Sequence, residues 1–180
     1  ECIAAGDSSF RSLAGQIRHM PEMPKAVSDK PVDYQFAALL AFTKVGNAVT
    51  FPEGSMMGYY QELLDKADDA GMPDDVIENT VAYSDAVFKA IMEWSKKDNY
   101  AQTRSASKYT VTDEEGRWVP TPPSYTSALE AHWMEIRTMV LDSAAQCKPV
   151  AAPAFNMKDT TSAFYRSVME VKSTIDNLTD

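Results

Sequence analysis

Apolar residues return at steps of three and four along much of the chain, and proline and glycine clusters separate the periodic stretches. That pattern predicts helices joined by irregular loops. Glu1–Ala5 reads as the tail of a helix stopped by Gly6-Asp7. Phe10, Leu13, Ala14 and Ile17 predict a short helix over Phe10–Met20, after which Pro21, Pro24 and Pro31 punctuate a loop. Asp33 is an N-cap for a helix reaching about Thr50, with Phe36, Leu39, Leu40, Val45 and Val49 on its stripe. Pro52 and Gly54 make the next turn. A helix from Ser55 then carries Met57, Tyr60, Leu64 and Ala67 and ends at Gly71.

The strongest helical pattern covers Asp74–Asp98, opened by Pro73 in a position where proline is tolerated. Ile77, Val81, Ser84, Phe88 and Ile91 share one face, and Val76, Tyr83, Val87 and Trp94 widen it, so this helix is expected to be buried on two sides. Tyr100–Gly116 reads as extended or irregular, with Tyr109 and Val111 alternating as in a short edge ribbon. The stretch Gly116–Leu141 comes next. Trp118, Pro120, Pro122, Pro123 and Tyr125 form a stiff aromatic ribbon, because proline fixes its own φ and extends its predecessor. Ser127 and Glu130 predict a capping box for a following helix with Leu129, Trp133, Ile136 and Val140 on one face. A last helix opens after Asp159 or Thr160, where Phe164, Val168, Val171, Ile175 and Leu178 step four, three, four, three. With no strand–helix alternation and no repeat of fixed period, the fold class is all-α: an irregular multi-helix bundle with long proline-rich loops, expected as a single helical domain over 1–180.

Composition narrows the function classes. An apolar content of 44% and a charged content of 24% suit a globular chain. The net charge of −9, with no basic stripe, argues against a nucleic-acid partner and against adhesion to an anionic membrane. The longest apolar run, Phe36–Phe42, is far too short to cross a bilayer. Cys2 and Cys147 are expected as two isolated buried thiols in preference to a disulfide.

Candidate chemistry is sparse. His19 and His132 are the only histidines, and neither has a ligand partner at helical spacing. His132 is expected at the surface of its helix. Glu62, Asp65, Asp68, Asp69, Asp74, Asp75 and Glu78 form an acidic knee around Lys66, but they lack the order of a calcium loop and read as a solvated face. No residue is assigned a catalytic, cofactor-binding or metal-binding role. The prolines and tryptophans of the ribbon carry no acid, base or nucleophile. The ribbon leaves a large apolar surface, which marks it as a docking interface.

The runs Tyr100-Ala-Gln-Thr-Arg104, Lys108-Tyr109-Thr110 and Gly116-Arg-Trp118-Val-Pro120-Thr-Pro-Pro123, followed by Trp133 and Arg137, resemble the helical N-terminal region of bacterial vanadium-dependent haloperoxidase-like proteins of the type 2 phosphatidic acid phosphatase superfamily. Cys2–Gly15 resembles an internal stretch of the same region. The chain departs from the family at Ala131, Met134 and Thr138-Met139, where the family has proline, glycine and Pro-Phe. The resemblance implies a phosphatase or haloperoxidase-like parent, periplasmic or secreted, binding phosphate or vanadate. Its catalytic motifs, Lys-x6-Arg-Pro, Pro-Ser-Gly-His and a final Ser-Arg and His, are expected downstream of Asp180. Lys97 and Arg104 have the first spacing, but Ser105 replaces the proline and the match is read as coincidence. The expected partner is therefore the catalytic half of the same protein, with a homo-oligomer left open, and the chain alone is expected to be inactive. The other reading is a non-enzymatic helical module that binds a partner through the ribbon.

Overall fold

A computed structural model describes residues 1–50 and 54–178. It is helical: α1 Cys2–Gly6, α2 Tyr34–Val49, α3 Met57–Asp69, α4 Asp74–Ser95, α5 Tyr100–Ser105 and α6 Ala163–Asp176. Two single 3-10 turns, Trp133–Glu135 and Ala144–Cys147, sit in the long connection between α5 and α6. No strand forms among the described residues; one isolated bridge pairs Ala14 with Ile17.

Each cap that the sequence suggests for the core helices has a physical counterpart. The Asp33 carboxylate accepts from the backbone N–H groups of Gln35 and Phe36 at 3.0 and 2.9 Å, satisfying two donors of the α2 N-terminus. Gly71, at φ +80°, ends α3 where a side chain would be strained. Pro73 precedes α4, and Asp74 and Asp75 in the first turn suit its dipole. The predicted Pro52 turn lies outside the described residues.

The core has two parts joined by α2 and α4. One part gathers Cys2, Ala37, Ala41, Tyr83 and Val87, with Tyr34, Met23 and Ile91 against it. The other gathers Phe36, Leu40, Tyr60 and Ala67, with Leu63, Ile77 and Val81. The wide stripe of α4 thus serves both, as its width implied. At the α2–α4 contact the completely buried residues include Ala37, Thr80 and Ser84, so small side chains let the backbones approach. Their hydroxyls are satisfied: Thr80 Oγ1 accepts from Asp33 N at 3.0 Å, and Ser84 Oγ donates to Val81 O at 2.8 Å. Beside them Lys44 pairs with Asp85 and lies 4.9 Å from the Tyr60 ring centroid. Burial pulls the Lys44 pKa down, but Asp85 and Tyr60 outweigh it and the net shift is upward.

Four expectations are corrected. Phe10–Met20 is not a helix. The Glu1 carboxylate takes the Leu13 N–H and the Ser12 hydroxyl, both at 2.7 Å, while Gly15 and His19 adopt positive φ, so the local bonds go elsewhere. Tyr100–Ser105, read as irregular, is a short helix; Asp98 Oδ1 accepts from Tyr100 N at 2.8 Å. The α2 stripe is rotated toward Ala37, Leu40 and Ala41, leaving Leu39, Phe42 and Val49 exposed. Of the two thiols only Cys2 is buried; Cys147 is exposed, and both are free.

One buried group is strained electrostatically. The Tyr83 hydroxyl finds no hydrogen-bond partner among the described residues, and desolvation, with Cys2, Tyr34 and Glu1 adding to it, pushes its pKa up to about 12. A desolvated hydroxyl without a partner costs about 1–3 kcal/mol. Tyr83→Phe should therefore be neutral or stabilise the chain by about 1 kcal/mol in urea unfolding, whereas Leu40→Ala, which empties a fully buried site, should cost about 2–5 kcal/mol. A Tyr83→Phe variant as damaged as Leu40→Ala would refute the orphan hydroxyl.

Candidate functional site

Thr103 is the last buried residue in the described chain; from 104 to 178 no side chain is buried. The polypeptide there is nonetheless ordered by specific bonds. At the C-terminal end of α4, the Arg137 guanidinium stacks 4.2 Å from the Trp94 ring centroid and donates through Nη2 to Trp94 O at 3.1 Å. The Arg137 backbone N–H donates to Asp98 O at 2.8 Å. On the other side, Trp94 Nε1 donates to Arg18 O at 3.3 Å, and Arg18 N donates to Met139 O at 2.9 Å. Arg18 also pairs with Asp142 at 2.9 Å. One tryptophan thus fixes the loop at 16–20 and the loop at 137–142 to the same helix end.

The ribbon hangs from these anchors. Tyr109 meets Trp118 edge to face at 5.6 Å, and its hydroxyl donates to Trp118 O at 3.2 Å. Gly116 adopts φ +81° and lies so close to Phe155 that a Cβ would meet that side chain at 2.8 Å. A groove of about 680 Å³ runs along the ribbon between Tyr109, Trp118, Pro122 and Leu129. Leu129 is 79% exposed, and Trp118, Tyr125, Trp133, Met134 and Val140 are exposed around it. The segment thus leaves several large apolar side chains uncovered on a path that specific bonds define.

The predicted helix after Ser127 is corrected here. Tyr125 and Glu130 both have positive φ, and the Glu130 carboxylate pairs with Arg104 instead of returning to Ser127. Only Trp133–Glu135 makes a turn, and Ile136 is extended so that Arg137 can reach Asp98. His132 is accordingly not on a helix face. Its Nδ1 lies 2.7 Å from Glu135 Oε1 and its Nε2 2.9 Å from Ser107 O. The acidic knee is exposed along its whole length, as read, and no group of three metal-ligating side chains occurs among the described residues.

No protein-family model matches the chain, and no curated protein matches it. Among solved structures it is similar to one reported as the crystal structure of the first bacterial vanadium-dependent iodoperoxidase, with 37% sequence identity and a TM-score of 0.85. The similarity takes in 99% of this chain and 44% of that one. This is a vanadium haloperoxidase-like helical chain. It spans less than half the length of the iodoperoxidase.

Vanadate or phosphate needs several cations and N–H donors aimed at one point. The arginines of this haloperoxidase-like chain in and around the ribbon each bond a separate acceptor, Arg104 on Glu130, Arg117 on Glu114, Arg137 on Trp94 and Arg18 on Asp142, although the Arg137 Nε is buried without a partner among the described residues. Their observed bonds point to different acceptors and tie the loops together, and none of these bonds converges with another on one point. The Trp94–Arg137–Arg18 junction was not foreseen from the pattern, where Trp94 counted as one more apolar position on α4. The surplus of an arginine and a tryptophan beside a helix end was the available signal.

Both acceptors of His132, a carboxylate and a carbonyl, can only accept, so the imidazolium makes two good bonds and the neutral ring one. The hydrogen bond to Glu135, then that to Ser107, raises the His132 pKa above the ordinary 6.5. The tether is therefore complete below pH 6.5 and weakens as pH rises through the raised value. An NMR titration of the His132 ring should give a midpoint above 6.5, and Glu135→Gln should bring it down. A midpoint at or below the ordinary value would show that the ring is not held this way.

Proposed function

We propose that this chain is the helical N-terminal part of a haloperoxidase or phosphatase-like enzyme, and that its exposed face carries the half of the protein that binds vanadate or phosphate. What supports this is the disproportion of the iodoperoxidase similarity: nearly all of this chain against 44% of the other, at 37% identity. The exposed, bonded ribbon supports it independently. Apolar surface is worth about 25 cal/mol per Å² when removed from water, and a structure that fixes Trp118, Leu129 and Trp133 while leaving them exposed gains that term only when something covers them.

In this reading the chain supplies no group to the reaction. It holds the ribbon and the Arg137 junction in place for the unit that does. The parent is taken to act in the periplasm or outside the cell. The groove beside Trp118 also suits a separate protein partner, the reading in which the chain is a non-enzymatic helical module that binds through the ribbon.

Two measurements decide between them. The gene should continue past residue 180 with Lys-x6-Arg-Pro and Pro-Ser-Gly-His. Residues 1–180 with added vanadate should neither oxidise iodide when hydrogen peroxide is supplied as the oxidant nor hydrolyse a chromogenic phosphate ester, and the full polypeptide should do at least one. Turnover by 1–180 that depends on vanadate, or a gene without those motifs, would overturn the proposal.

A further inference from the structure

Helix α6 is the least supported element in the molecule. It takes no part in the substantial helix–helix contacts, which join α1 to α2, α2 to α3 and α4, α3 to α4, and α5 to the turn at Trp133. None of its residues is buried. Its first turn is fixed by the Ser162 side chain, which accepts from Tyr165 N at 3.1 Å, and by Phe164 against Phe155 at 5.0 Å between ring centroids. Beyond that turn it projects. A free helix of 14 residues is marginal in water, and AFYRSVMEVKSTID is poor in strong helix formers. Such a helix needs burial to persist.

Its apolar positions say what shape of partner buries it. Phe164, Val168, Val171 and Ile175 step four, three and four, the 3.5-residue spacing of a seam between two helices and not the broad face of a helix lying on a core. Val171 and Ile175 are each 60% exposed. The positions flanking the seam, Tyr165, Ser167, Lys172 and Thr174, carry one charge, which Asp176 pairs. A helix can therefore approach without meeting an unpaired charge.

We propose that the α6 seam pairs with a helix of the same polypeptide outside residues 1–180, so that α6 is the first helix of the following unit and not the last of this one. This rests on the reading that the parent chain is longer. The size of the seam selects the occupant. Fourteen residues make a helix about 21 Å long, and one narrow face of it falls well short of the roughly 800 Å² per partner of a stable free association. A second copy would also bring another net charge of −9. A helix on the same chain has an effective concentration that removes most of the association cost.

Amide hydrogen exchange on residues 1–180 and on the full polypeptide tests this, read separately over 164–176 and over the ribbon at 116–141. Exchange over 164–176 should be at least about tenfold slower in the full polypeptide. Val171→Asp with Ile175→Asp in that polypeptide should restore fast exchange there and leave the ribbon protected. Protection gained by the ribbon alone overturns the seam pairing and leaves the parent-enzyme reading standing. No gain at either place counts against that reading itself. Protection over 164–176 that appears in 1–180 as its concentration rises makes a second copy the occupant and overturns the proposal.

Discussion

The close approach of α2 and α4 is the contact on which the rest depends. Alanine, serine and threonine at the crossing allow it, and the buried Thr80 and Ser84 hydroxyls there are satisfied by the α2 cap and within α4. The Asp33 N–H to Thr80 bond links the start of one helix to the flank of the other, so a shift of α4 would disturb the α2 cap as well as both parts of the core. Because α4 is 22 residues long, it reaches past the core, and its far end becomes the post to which the irregular half is tied.

That post works by a different kind of interaction. The core is held by apolar burial, whereas the chain from 104 onward is held by Arg137 on Trp94, Arg18 on Asp142, Arg104 on Glu130 and His132 between Glu135 and Ser107. Exposed ion pairs contribute little each. Their common effect is geometric: they choose one path for a proline-stiffened strand whose apolar groups remain uncovered. Stability and shape are thus supplied by separate halves of the chain.

This division explains which parts of the fold were legible in the sequence. Where a helix buries its own stripe, period and caps suffice: Asp33, Gly71 and Pro73 bound α2, α3 and α4 much as read, and Ser162 opens α6 near the expected start. Where tertiary bonds compete with local ones, pattern fails. Ser127 and Glu130 have the spacing of a capping box, but Arg104 takes the Glu130 carboxylate and the backbone turns left-handed at that residue. Phe10–Met20 has helical spacing, but the Glu1 carboxylate and the Met139 carbonyl accept from the backbone N–H groups of Leu13 and Arg18, donors that a helix would have used. The ribbon itself was legible because proline dictates its form locally. The Trp94 junction was not, because nothing local dictates that Arg137 returns to a helix that ended some forty residues earlier.

The same distinction bears on what the two exposed apolar regions can accept. The ribbon is rigid and aromatic, braced by Tyr109 on Trp118 and by Phe155 on Gly116, and it offers a groove whose form exists before anything enters it. Little ordering entropy then remains to be lost on docking. Helix α6 is the opposite case: a narrow seam on an element with weak intrinsic helicity, fixed only at its first turn. Docking there must also stabilise the helix, so that helix formation and pairing are coupled. In the proposed pairing the helix that meets α6 belongs to the same polypeptide, and that connection supplies the effective concentration at which so small a contact can form.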